Sequence, residues 1–120
     1  MAERIDFAGY TGCIKLENEH TGVVLGPHCG GRVLEYAWEG ENALMLDPAH
    51  DGWIREQGRE PLGHLFPSAG RFDIGPPHII PEHPELWLGR WQAEAVDGTA
   101  QMVSQKSEST GTQLVREFDL

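Results

Sequence analysis

The sequence predicts an all-β fold, most simply an antiparallel β-sandwich, and three observations carry that expectation. Short runs of alternating apolar and polar residues recur along the chain, the period of half-buried strands. Turn-forming residues separate them: fifteen glycines and eight prolines are spread through 120 residues rather than clustered. No stretch carries the 3.6-residue periodicity of an amphipathic helix over three turns.

Seven strands are expected in order. Cys13–Glu17 alternates, with Ile14 and Leu16 on one face. His20-Thr-Gly22 reads as a turn, and Val23-Val-Leu25 as a short buried strand bounded by Gly22 and Gly26-Pro27. After Gly30-Gly31, Arg32–Trp38 alternates, with Val33, Glu35 and Ala37 on one face and Leu34, Tyr36 and Trp38 on the other. Glu39–Asn42 reads as a turn into a strand at Ala43–Leu46. From Asp47 to Ala69 the periodicity fails, and a long loop is expected, tacked down by Trp53-Ile54 and Leu65-Phe66. Arg90–Val96 alternates, with Trp91, Ala93 and Ala95 on one face. Asp97-Gly98 is a strong hairpin signal leading into Thr99–Ser104. Thr112–Leu120 is the last strand, with Leu114, Arg116 and Phe118 together on one face.

The length fits one domain spanning 1–120. Hydrophobic residues make up 39% of the chain, enough for a core, and four Trp, four Phe and two Tyr set it apart from a disordered composition. The formal net charge of −10 argues against nucleic acid and against an anionic membrane surface, since both attract basic patches. It is compatible with a neutral sugar, a cation or simple solubility. Cys13 and Cys29 form no Cys-x-x-Cys pair. One disulfide is open to them if they lie on neighbouring strands, but free thiols and a cytoplasmic setting are the default. The N-terminus has no signal-peptide core, and no apolar run reaches membrane-spanning length.

Residues 70–91 concentrate the chemistry. They hold His78 and His83, Arg71 and Arg90, Asp73, Glu82 and Glu85, and Trp87 and Trp91, with prolines at 76, 77, 81 and 84. The prolines interrupt any regular helix or central strand, so this is a stiffened loop. It reads either as a binding loop or as an ordered connector whose tryptophans fill the core. Trp91 opens an alternating strand and reads as core, whereas Trp87 is the better platform for a ligand. A sugar site would stack Trp87 on a pyranose and bond its hydroxyls through Arg71, Asp73, His78 and Glu85. An alternative is a metal held by His78, His83 and Glu85, as in a cupin-like barrel, although the His-x-His pair of cupins is missing. Elsewhere, His28 beside Cys29 reads as structural, and His20, His50 and His64 as exposed loop residues. Arg32 is expected to pair with a carboxylate, and Asp6, Glu17 and Glu19 to form a solvated face.

Two segments together resemble the galactose mutarotase-like family of β-supersandwich proteins. The first runs from Val23 through Gly30-Gly-Arg-Val33 to Gly40-Glu-Asn42-Ala-Leu44 and looks like that family's opening hairpin. Glycines there would let backbones approach, and the Gly-x-Asn turn would supply positive-φ residues. The second is Gly70-Arg-Phe-Asp-Ile-Gly-Pro76 through His83-Pro-Glu-Leu-Trp-Leu-Gly-Arg-Trp91. It is similar to the family's Gly-Arg segment and the histidine-bearing segment that follows it, in the wording of an uncharacterised branch. The Asn-x-x-His-Gly-Gly run of authentic aldose 1-epimerases is absent. The resemblance covers residues 13–120 and implies the N-terminal half of a supersandwich with a carbohydrate ligand and no cofactor.

By that resemblance Arg71 would hold sugar hydroxyls, and His83 would act as the acid at the ring oxygen, a role its ordinary pKa near 6.5 suits. The family's glutamate base and second histidine lie in the other half, so an isomerase would need that half. A competing expectation is a non-catalytic interaction module: an open sheet edge invites strand pairing with a partner or with a second copy in a homodimer.

Overall fold

A computed structural model describes residues 2–58, 67–76, 78–96 and 98–120. The fold is nearly all β. Among the described residues eight strands form two antiparallel sheets: β1 (Ala2–Phe7), β2 (Tyr10–Glu17), β3 (Thr21–Gly26), β4 (Arg32–Trp38) and β5 (Glu41–Asn42) in one, and β6 (Gln92–Val96), β7 (Thr99–Val103) and β8 (Val115–Asp119) in the other. Both are simple meanders, each strand pairing with the next in sequence. Ile14, Leu16, Val23, Leu25 and Val33 on the inner face of the larger sheet pack with Trp91, Ala100 and Met102, and Ala93, Leu114 and Phe118 lean on the same cluster. The sandwich expected from the alternation of residues 90–96, 99–104 and 112–120 is what forms. Arg4 links the layers through a bond from Nη2 to the Ala93 carbonyl at 3.0 Å.

The outer face of the larger sheet is also covered. Tyr10, Cys13, Val24 and Leu34 form a second cluster, against which Leu46 and, from the long loop, Ile54 pack. Trp53, 2% exposed, joins Cys29 and Leu88 in a third. The loop is thus tacked down at Trp53-Ile54 as expected; Leu65-Phe66 and His64 lie outside the described residues. Cys13 and Cys29 are buried free thiols. No helix among the described residues is long and apolar enough to cross a membrane.

Several expectations change. The N-terminal strand β1 adds to the expected set: it pairs with β2 through a tight Ala8-Gly9 turn, both residues at positive φ. Alanine there gives no turn signal. β3 begins at Thr21, inside the expected turn, because Asn18 accepts from the amides of His20 and Thr21 and closes the reversal earlier. Strict alternation in β4 is broken by a bulge: Val24 pairs with Glu35 but Leu25 with Val33, so Leu34 is the extra residue. Val33 and Leu34 join opposite clusters as alternation gives, but past the bulge Tyr36 shares the face of Val33.

The strand expected at Ala43–Leu46 does not form. The turn before it has Glu39 and Gly40 at positive φ, and the chain pairs only at Glu41–Asn42. The Asn42 side chain then accepts from the Tyr36 and Leu44 amides and donates to the Leu34 carbonyl. It occupies backbone groups of β4 that a continuing strand would have used.

Candidate functional site

The segment 70–91 bridges the two sheets, and its backbone is bonded at both ends. Val33 N–H donates to the Gly70 carbonyl at 3.1 Å, and Trp91 N–H to the Pro27 carbonyl at 2.7 Å. Gly30 N–H donates to the Gly89 carbonyl at 2.7 Å. The Gly30-Gly31 pair makes this docking feasible. A Cβ on Gly30 would run into the Trp87 carbonyl, and one on Gly31 into the Trp91 ring; both glycines have positive φ. The glycines do allow close approach, but what approaches is this segment rather than a neighbouring strand. Pro84 starts a single helical turn, α1 (Pro84–Trp87), where its missing N–H costs nothing. Trp91 follows with 1% exposure and its Nε1 donating to the Leu86 carbonyl at 2.8 Å. It is core, as its place in an alternating run indicates.

Four of the expected site residues come together in two pairs. His83 Nε2 lies 2.8 Å from Asp73 Oδ1, and His83 Nδ1 lies 2.7 Å from the Pro81 carbonyl. Both facing atoms are acceptors, and a neutral imidazole donates from only one nitrogen. The ring is therefore best satisfied as imidazolium. Burial alone would lower its pKa, but the bonds to Pro81 and Asp73 and the Asp73 charge outweigh burial and hold it above the ordinary value. Ile74 N–H gives Asp73 Oδ1 a second donor at 2.8 Å. The other pairing is Arg71 with Trp87: the guanidinium sits 5.8 Å from the indole centroid, on an aromatic ring that is half-buried.

The remaining candidates point elsewhere. Glu85 accepts from the Ser107 hydroxyl and the Glu108 amide. Burial would raise its pKa, yet those bonds, its own amide and the Arg55 charge bring it below the ordinary carboxylate value. It anchors the turn between β7 and β8. His78 is exposed in the turn closed by bonds from Ile79 and Ile80 to the Pro76 carbonyl. Among the described residues no group of three or more His, Cys, Asp or Glu comes together that could hold a metal, so His78, His83 and Glu85 do not form a cupin-like centre.

Two other residues depart from expectation. Arg32 has no carboxylate partner among the described residues: it is 2% exposed, donates to the Ser68 carbonyl and to Tyr10 Oη, and leaves Nε unpaired. His50 is buried rather than exposed, accepting from Ser68 N–H at 3.3 Å with Asp47 3.9 Å away. Apolar patterning could not find either, because both are ordered by Ser68 near the end of the long loop. His28 is structural as expected: it stacks on Tyr10 at 4.8 Å, bonds the Thr11 carbonyl, and burial lowers its pKa. His20 is exposed and bonded to Glu39.

Arg116 is a functional candidate that sequence pattern alone did not single out. Its Nη1 donates to the carbonyls of Gly31 and Gly70 at 2.8 and 3.0 Å, and its guanidinium lies about equally over the Phe72 and Phe118 rings, 5.0 and 5.1 Å from their centroids. Its position on the Leu114–Phe118 face of an alternating strand was the available signal. No family model matches this chain, and it has no match among curated proteins or solved structures.

Proposed function

We propose that this β-sandwich is a carbohydrate-recognising domain of the galactose mutarotase-like type, working in a reducing cytoplasmic setting. The observation that carries the reading is the apposition of Arg71 and Trp87 beside the Asp73–His83 pair. An indole plane, a planar multi-donor cation and a carboxylate are the groups that grip a pyranose: the ring stacks, and its vicinal hydroxyls take donors and an acceptor. The sequence resemblance over residues 23–44 and 70–91 supports the same reading.

Binding is favoured over isomerisation by these 120 residues. Ring opening needs an acid that can release its proton to the ring oxygen and a base for the anomeric hydroxyl. Both nitrogens of His83 are committed to internal acceptors, and Glu85, two residues on, is bonded at the Ser107 turn. A titration of tryptophan fluorescence against a panel of aldohexoses tests the proposal. Saturable quenching that is lost in Trp87→Phe and Arg71→Ala is expected, with no acceleration of mutarotation by polarimetry. Absence of any response across the panel would sink the carbohydrate reading, and rapid mutarotation would replace binding with catalysis.

A further inference from the structure

Ala69 and Gly70 both sit at positive φ, 65° and 47°, so the chain reverses sharply just before Arg71. Alanine gains nothing from that conformation. A Cβ on Gly70 would run into the Val33 backbone. The turn therefore depends on bonds made from outside it. Two arginines supply them, one from each sheet. Arg32 of β4 donates through Nη2 to the Ser68 carbonyl, and Arg116 of β8 donates through Nη1 to the Gly70 carbonyl at 3.0 Å. The same Arg116 nitrogen donates to the Gly31 carbonyl at 2.8 Å. Its guanidinium also lies over the Phe72 ring, 5.0 Å from the centroid. Arg116 thus holds the residue on each side of Arg71.

That grip has a directional consequence. The Gly70 carbonyl belongs to the peptide that joins Gly70 to Arg71, and it accepts from both Arg116 and Val33 N–H. With that peptide plane fixed and Phe72 stacked, the direction in which Arg71 leaves the backbone is set. Its guanidinium then stands 5.8 Å from the Trp87 centroid. Trp87 is referenced to the same point from the other side. Gly31, whose carbonyl Arg116 holds, follows Gly30, whose N–H donates to the Gly89 carbonyl at 2.7 Å. A guanidinium suits this work, because its charge strengthens bonds to carbonyls and its flat face packs on Phe72 and Phe118.

We propose that Arg116 is a positioning residue of the Arg71–Trp87 surface, setting Arg71 against Trp87 through the residues on either side of it. Its consequence for sugar capture rests on the carbohydrate reading above; the positioning itself does not.

The test is a ring-current measurement by NMR on the protein without ligand. Removing the indole in Trp87→Leu should displace the Arg71 Nε–H resonance, and that displacement reports the contact. It is expected in full in the wild-type background and in Val24→Ala, which costs stability in the opposite cluster away from the clamp. It should be lost in Arg116→Met, which keeps an apolar stem but no donors. It should return in part in Arg116→Lys, whose ammonium can still donate to the two carbonyls. D-galactose affinity, read by tryptophan fluorescence, should fall about tenfold in Arg116→Met, the equivalent of one charge-assisted bond. A full displacement in Arg116→Met, an equal loss in Val24→Ala, no recovery in Arg116→Lys, or no displacement in the wild-type background would each overturn the proposal. Should D-galactose fail to bind the wild type while the displacement behaves as expected, the sugar consequence falls and the positioning stands.

Discussion

Replacing Asp73 by asparagine isolates the pair that orders the 70–91 segment. The His83 side chain is 5% exposed and that of Asp73 28%, so the contact is shielded from solvent, though not fully. The substituted amide keeps the shape and an acceptor oxygen but removes the charge, leaving the buried imidazole facing two neutral acceptors. Hydrogen bonds involving a charged partner are worth about 1.5–3 kcal/mol, and the partial exposure of Asp73 places the loss at about 2 kcal/mol. For a domain of this size that corresponds to a fall in Tm of about 8 °C.

The pH dependence gives a sharper signature. His83 has a folded pKa raised above its unfolded value. Its contribution is fully present below the unfolded pKa of about 6.5 and is lost as pH rises through the higher folded value. Urea unfolding should therefore separate wild type from Asp73→Asn widely at pH 5.5 and progressively less at higher pH. NMR titration should place the His83 transition above 6.5 in wild type and lower in the variant. A wild-type transition at or below 6.5, or equal stability of the two proteins at pH 5.5, would refute the argument that both ring nitrogens donate.

Two further predictions concern the packing around that segment. Gly31→Ala puts a Cβ at positive φ and against the Trp91 ring; a loss of about 2–4 kcal/mol is expected from strain and overpacking together, measured by chemical denaturation, and an unchanged midpoint would contradict the packing described. The buried thiols of Cys13 and Cys29 are both pushed up to about 11, chiefly by burial. They should resist a thiol-directed disulfide reagent at pH 8 until the protein is unfolded, and stability should fall as pH rises from about 9 toward 11, where only the unfolded chain releases those protons.

The strand pattern was legible wherever one periodicity governed a segment. Residues 13–17, 90–96 and 99–104 alternate cleanly, and β6 and β7 pair as far as Val96 and Thr99 on either side of the hairpin signal. The pattern misled where a side chain took over backbone bonding. Asn42 satisfies three main-chain groups around β4 and stops the strand that the apolar run 43–46 suggested. The Leu34 bulge shifts the remainder of β4 by one residue, which moves Tyr36 to the inner face with Val33. Alternation assigns faces only up to the first bulge. The candidate site was legible as a segment and only partly as an arrangement. Arg71, Asp73, His83 and Trp87 come together in two pairs, whereas Glu85 is drawn to the Ser107 turn by contacts some twenty residues distant, which no local motif encodes.

The 70–91 segment was open to two descriptions, a binding loop or an ordered connector, and its geometry separates them residue by residue. Trp91, Gly89 and Gly70 are connector: they tie β4, the Pro27–Gly31 turn and β6 into one body. His83 reads in the sequence as an acid and Glu85 as a group for sugar hydroxyls, yet each is bonded within the protein, one to Asp73 and Pro81 and the other to the Ser107–Glu108 turn. Arg71 and His78 are exposed and Trp87 is half-buried, so these three face ligand-accessible space. The division is physically coherent. A recognition surface that must hold its shape needs its underside fixed by directional bonds, and a buried imidazolium held between a carboxylate and a carbonyl supplies such constraints on both sides of the ring. On the proposed carbohydrate reading, Asp73→Asn should weaken sugar capture by loosening the platform, because both His83 nitrogens are bonded within the protein. Loss of binding in that variant should be recovered at low temperature, where the loop reorders, whereas loss in Arg71→Ala should not.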